Sequence, residues 1–179
     1  MQFVENPIGQ ADQIVQLFKD TFTASEGEEE GALIGDLAHD LLSKTPRDDI
    51  RVFTSQDGDV LRACAIFTRL RFERDKRKAF LLSPMAVASD CQGKGIGQRL
   101  LSHALRALQD EGADIAITYG DPGFYGRVGF VPVTTETVPA PLPLSMPQGW
   151  IAQSLTDAPL TPLAGPSVCV PALNRSEIW

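Results

Sequence analysis

The sequence predicts an α/β (α+β) fold. Two amphipathic helical patterns open the chain, and a hairpin signal joins two apolar runs in its middle. A glycine-rich run then stands between an apolar strand and a third helical pattern, with a short buried strand beyond it. The length of 179 residues fits one domain. A chain of that size hides roughly 70% of its unfolded surface, enough for a core without staples. The expectation is a single domain over 1–179, with a core of about 1–133 and a proline-rich layer, 134–179, packed on it.

Each element has its own signal. Ile14, Val15, Leu17, Phe18 and Phe22 mark the first helix, with Asp12 near its start. Ser25-Glu26-Gly27-Glu28-Glu29-Glu30 reads as an acidic loop, followed by a second helix carrying Leu33, Ile34, Leu37, Leu41 and Leu42. The acidic residues front that helix, where the macrodipole favours negative charge. A strand over Ile50 to Ser55 meets Asp57-Gly58, a hairpin turn signal, and the return strand runs from Val60 to about Phe72. The segment Arg71 to Lys78 reads as a second, longer turn bearing Arg71, Arg74, Lys76, Arg77 and Lys78. It is either a solvated hairpin tip or a contact for an anionic ligand or partner. An apolar strand, Ala79 to Val87, contains Pro84, which implies an edge, a bulge or a lost ladder bond. The next helix carries Ile96, Leu100, Leu101, Ala104, Leu105 and Leu108, and Gly112 ends it. Ile115 to Tyr119 is a short buried strand. Nine of the 13 prolines lie beyond Phe130, among apolar residues such as Leu142, Trp150 and Trp179, so the tail reads as an irregular layer with short strands.

Composition excludes several classes. A hydrophobic fraction of 43% with 22% charged residues is that of a soluble globular protein. A net charge of -7 argues against a nucleic-acid binder held by phosphate contacts. No apolar run approaches the ~20 residues that span a bilayer. Met1 to Pro7 lacks the basic and apolar regions of a signal peptide. Cys64, Cys91 and Cys169 are scattered, odd in number and without metal spacing, which fits a reducing cytoplasm and no metal. His39 and His103 fall inside helical patterns and read as structural.

The run Gln92-Gly93-Lys94-Gly95-Ile96-Gly97 has the makings of an anion site. Amides at a helix start have no intrahelical partner, and the dipole adds positive potential. A Rossmann turn fails because Gln98 stands where its third glycine is needed. A Walker A loop fails because Gly95 follows Gly93-Lys94 and Ala88 stands five residues before Gly93. Gln-x-x-Gly-x-Gly (Gln92, Gly95, Gly97) after an apolar strand instead resembles the acyl-CoA pyrophosphate loop of the GNAT superfamily of N-acetyltransferases. Met85-Ala86-Val87 looks like the family strand whose backbone pairs with the pantetheine amides. Tyr125-Gly126-Arg127-Val128-Gly129-Phe130 resembles the family's Tyr-x-x-x-Gly-Phe. Gly120-Asp121-Pro122-Gly123-Phe124-Tyr125 and the stretch Ser25 to Glu30 are similar to the YhbS-like branch.

The resemblance implies the GNAT acyl-CoA N-acyltransferase fold, a mixed, mostly antiparallel sheet flanked by helices and splayed between the Ala79–Val87 and Ile115–Tyr119 strands. It implies an acyltransferase that moves an acetyl group from acetyl-CoA to a primary amine of a small molecule or peptide by direct attack in a ternary complex. Met85, Ala86, Val87, Gln92, Gly93, Lys94, Gly95, Ile96, Gly97, Gln98, Asp121 and Tyr125 are the expected acetyl-CoA contacts, and Arg99 could reach the same phosphates. Tyr125 matches the tyrosine that protonates the CoA sulfur. Glu26, Glu28 and Glu29 are candidate bases that act through water, and Asp121 is another, or caps the helix before Tyr125. The alternative is a catalytically idle acyl-CoA-binding sensor or scaffold, since fold does not fix function. The acidic surface would also suit a cationic peptide or polyamine. No nucleic acid and no membrane are expected as partners, and the chain would be a monomer or homodimer.

Overall fold

Long β-branched and aromatic stretches become long strands, and the amphipathic stretches become helices. The computed structural model describes all 179 residues. In chain order the elements are β1 (Gln2–Glu5), α1 (Ala11–Glu26), α2 (Glu28–Lys44), β2 (Ile50–Asp57), β3 (Val60–Phe72), β4 (Asp75–Val87), α3 (Ile96–Asp110), β5 (Ile115–Tyr119), α4 (Pro122–Tyr125), β6 (Val131–Pro132), β7 (Trp150–Ser154) and β8 (Ser167–Val168). The sheet order is β1-β2-β3-β4-β5-β7-β6, with β8 paired to β3. β1 runs antiparallel to β2, and β7 runs antiparallel to both β5 and β6. β4 and β5 are parallel, from Ala79↔Ile115 to Leu82↔Thr118. Beyond that register β4 runs on to Val87.

Backbone contacts divide the chain into two compact units, Met1–Phe67 with Pro84–Ala104, and Thr68–Ser83 with Leu105–Trp179. In the first unit, α1 turns Ile14 and Phe18 inward, and α2 turns Ile34, Leu37, Ala38 and Leu41 inward, at helical spacing. His103 of α3 stacks on Phe3 at 5.1 Å between ring centres, meets Phe53 edge-on at 6.2 Å, and places Nε2 3.1 Å from Glu5. The expected structural role of this histidine is thereby given partners. In the second unit, Trp179 stacks on Tyr119 at 6.1 Å and meets Trp150 at 5.9 Å, while its indole N–H donates to Leu173 O at 2.8 Å.

Several boundaries differ from the sequence reading. The acidic stretch is not a loop. α1 continues through Glu26, α2 starts at Glu28, and Gly27 alone breaks them at φ +101°, where a side chain would be strained. The charged segment 71–78 is not a long turn either. β3 extends through Phe72 and β4 begins at Asp75, leaving only Glu73 and Arg74 between them. The tail supplies partners for Asp75 and Arg77 at the start of β4. The five donors of Arg77 all go to Asp75, Thr161 and Pro162. The first hairpin turn falls on Gly58-Asp59, one residue later than expected. The tail contributes a full sheet strand, β7, besides its short ones, and residues 2–5, which carry no strand signal, form the edge strand β1.

Candidate functional site

The glycine-rich turn links β4 to α3. Gly93 and Gly95 adopt φ +74° and +73°, and a side chain on either would meet nothing within 4 Å, so the loop surface is open. Arg99 N donates to Gly95 O at 3.2 Å, the first bond of the helix. The amides of Ile96, Gly97 and Gln98 therefore have no intrahelical acceptor and are available to an anion, with the helix dipole adding to the attraction. The neighbouring polar side chains brace the loop. Gln92 Nε2 donates to Val87 O at 3.1 Å, and Lys94 Nζ donates to Asp90 O at 2.8 Å. Arg62 lies 3.3 Å from Asp90, and Ala88 N donates to Arg62 O at 2.8 Å. Met85 and Val87 are half-buried and Ala86 is buried, as alternation along a strand requires.

Tyr125 ends the one-turn helix α4. Asp121 caps that helix, its Oδ1 accepting from Gly123 N at 2.8 Å, with Pro122 in the first turn. Tyr125 N donates to Asp121 O at 3.1 Å. The ring meets Phe124 edge-on at 5.0 Å and Phe130 at 5.8 Å. Burial pushes the phenol up to about 12, with the Asp121 carboxylate adding to the rise and a hydrogen bond with Thr118 opposing it. The hydroxyl is accordingly protonated at neutral pH and can donate. Gly120, which lies against the Tyr125 ring, entered the sequence reading only as the first residue of the YhbS-like phrase, and Thr118 only as part of the Ile115 to Tyr119 strand.

The candidate acidic residues are solvent-facing. Glu26 closes α1 and Glu28 and Glu29 open α2, all exposed, on either side of Gly27. A groove of about 570 Å³ lies in the same unit, between Gln13, Gln16 and Asp20 of α1 and the residues Ala88 to Asp90, with Leu61 in its wall. The structure thus brings Gln92 to Val87 and Asp121 to Tyr125. Glu26 and Glu28 flank Gly27 at the helix junction.

The strand order, the glycine turn behind β4 and the short capped helix before Phe130 are those of a GNAT fold. Residues 48–132 match the acetyltransferase (GNAT) domain family, so the resemblance read from the motifs is borne out, and the fold is the mixed α/β GNAT fold. Over 101 residues the chain is 34% identical to the uncharacterized N-acetyltransferase YjhQ of Escherichia coli strain K12, covering 54% of this chain and 56% of that one. Over 79 residues it is 29% identical to the uncharacterized N-acetyltransferase YhbS of the same strain, covering 44% and 47%. The match thus spans about half the length of these curated relatives. Among solved structures, the GNAT family N-acetyltransferase YhbS from Escherichia coli in complex with CoA superimposes with a TM-score of 0.79 at 20% identity, covering 98% of this chain and 92% of that one. A GNAT family acetyltransferase from Brucella melitensis in complex with acetyl-CoA gives 0.71 at 19% identity, covering 97% of each. No helix here is long and apolar enough to cross a membrane.

Proposed function

We propose that the whole chain, 1–179, is one N-acetyltransferase domain that moves an acetyl group from acetyl-CoA to a primary amine of a small molecule or peptide. The observation that carries this reading is the open glycine turn at the start of α3, whose unpaired amides offer a phosphate seat of the kind the resemblance assigns to the CoA pyrophosphate. Relatives solved with CoA and acetyl-CoA support it.

In this mechanism the amides of Ile96 to Gln98 take the pyrophosphate, and Gln92 and Lys94 hold the loop in shape. Met85 to Val87 present backbone to the pantetheine arm. The amine must lose a proton before attack, because a free alkylamine has a pKa near ~10. Glu26 or Glu28 takes that proton through water. The amine nitrogen then bonds the thioester carbonyl carbon, the C–S bond breaks with its electron pair going to sulfur, Tyr125 delivers a proton to the thiolate, and the second nitrogen proton leaves through water as the amide forms.

The test combines binding and turnover. Acetyl-CoA at about 100 times its Kd should stabilise the protein by about 2.7 kcal/mol, seen as a raised Tm. A panel of amines and basic peptides, followed by free CoA release, should reveal an acceptor. No Tm shift at millimolar acetyl-CoA would sink the reading. Stabilisation without release to any amine would favour the idle acyl-CoA sensor instead.

A further inference from the structure

Tyr125 has a seat built by β5 and the residue that follows it. Side chains alternate along a strand, so Thr118 and position 120 share one face. Position 120 is a glycine whose added side chain would lie 2.7 Å from Tyr125 Cε2 and 3.4 Å from Cδ2. No real Cβ tolerates such a contact, so the ring lies against bare backbone. That backbone is fixed, because Gly120 N donates to Gly149 O at 2.9 Å. Thr118 is 1% exposed, and its hydroxyl donates to Leu82 O at 3.0 Å across the parallel pair. The same hydroxyl favours the ionised form of Tyr125, against the rise that burial causes.

We propose that Gly120 and Thr118 are positioning residues for acetyl transfer, Gly120 setting the plane of the Tyr125 ring and Thr118 steadying its oxygen once the proton has left. The inference rests on the acetyl-transfer reading above and deepens it. At rest the single Thr118 proton goes to Leu82 O. When the C–S bond breaks, the Tyr125 proton passes to sulfur and a phenolate remains. The Thr118 hydroxyl can then turn its proton from Leu82 O to the phenolate oxygen. The tyrosine regains a proton that the amine released to solvent. Thr118 therefore donates to Leu82 O before the step and to the phenolate after it, with a proton that valine lacks.

The experiment has two arms. Steady-state kinetics use acetyl-CoA and the amine giving the fastest CoA release. Gly120→Ala should lower kcat by about 10- to 100-fold, since misplacement by ~1 Å costs that order. Thr118→Val should lower kcat about 10-fold, with KM for acetyl-CoA within about twofold of wild type for both, and Thr118→Ser should restore kcat to within about threefold. The second arm needs no substrate. The chain has two tyrosines, so uniform 3-fluorotyrosine labelling gives two fluorine resonances, and Tyr125→Phe identifies one by its loss. Gly120→Ala and Thr118→Val should move the Tyr125 resonance, and Thr118→Ser should leave it near its wild-type position. An unmoved resonance in both variants overturns the seat. So does a Thr118→Ser variant as slow as Thr118→Val, or a rise in KM that accounts for the whole loss. If the wild-type chain acetylates no amine, the functional reading falls, and the fluorine shifts alone decide the seat.

Discussion

Tyr125 gathers several environmental effects on one oxygen. Its raised pKa has a definite sign: the neutral form is favoured in the folded chain, so the donor stays loaded until pH approaches about 12. Replacing it with Phe keeps the edge-on contacts with Phe124 and Phe130 and removes only the proton. Tyr125→Phe should therefore lower kcat about 10²- to 10⁴-fold while KM for acetyl-CoA stays nearly constant, measured by CoA release. A collapse in acetyl-CoA affinity with turnover intact would make the ring a packing group. Tyr125 stands out in the sequence because it sits in a spaced motif with Gly129 and Phe130. Its seat does not, because the contacts of Thr118 and Gly120 exist only once β5 ends and α4 folds the ring back. Asp121 was legible as a cap from its place before Pro122, and that is the hydrogen bond it makes.

At the scale of elements, the helical pair shows how one small residue sets a distance. Gly31 of α2 faces Thr23 and Lys19 of α1, and an added Cβ would lie 2.8 Å from Lys19 O and closer still to the Thr23 hydroxyl. The two helices therefore meet backbone against backbone. Gly31→Ala should cost about 1–3 kcal/mol, the usual range for overpacking, as read by urea denaturation. A gain in stability would mean that the helices can part at no cost. The helices themselves were legible from Ile14, Phe18, Ile34, Leu37 and Leu41 at helical spacing. The break between them was not, because five polar residues around one glycine look like a loop, while Gly27 alone makes the bend. β4 likewise starts four residues earlier than its apolar signal. Its first turns of strand carry Asp75 and Arg77, whose partners lie far along the chain at Thr161, Pro162 and Ala164.

For the molecule as a whole, the net charge of -7 is unevenly used. The exposed carboxylates at the α1–α2 junction stand in the open, whereas Asp75 is locked beneath Arg77, 2.7 Å away. The side-chain hydrogen bond from Arg77 holds the Asp75 carboxyl down to about 2, below its ordinary value near 3.8. A depressed folded pKa gives stability that is present above the unfolded value and lost as pH falls through the folded one. Wild-type Tm should thus decline between about pH 4 and pH 2, and Asp75→Asn should flatten that decline while lowering Tm at neutral pH. An unchanged acid slope would mean that Asp75 contributes nothing to it. The same unit offers a natural optical reporter. Both tryptophans of the chain, Trp150 and Trp179, belong to one buried aromatic cluster with Tyr119, and neither α1 nor α2 contains an indole. Their fluorescence is therefore a single local signal. It registers the docking of the last residue against β5 and β7 and has no emitter in the helical pair, so emission and circular dichroism will follow different parts of the same unfolding.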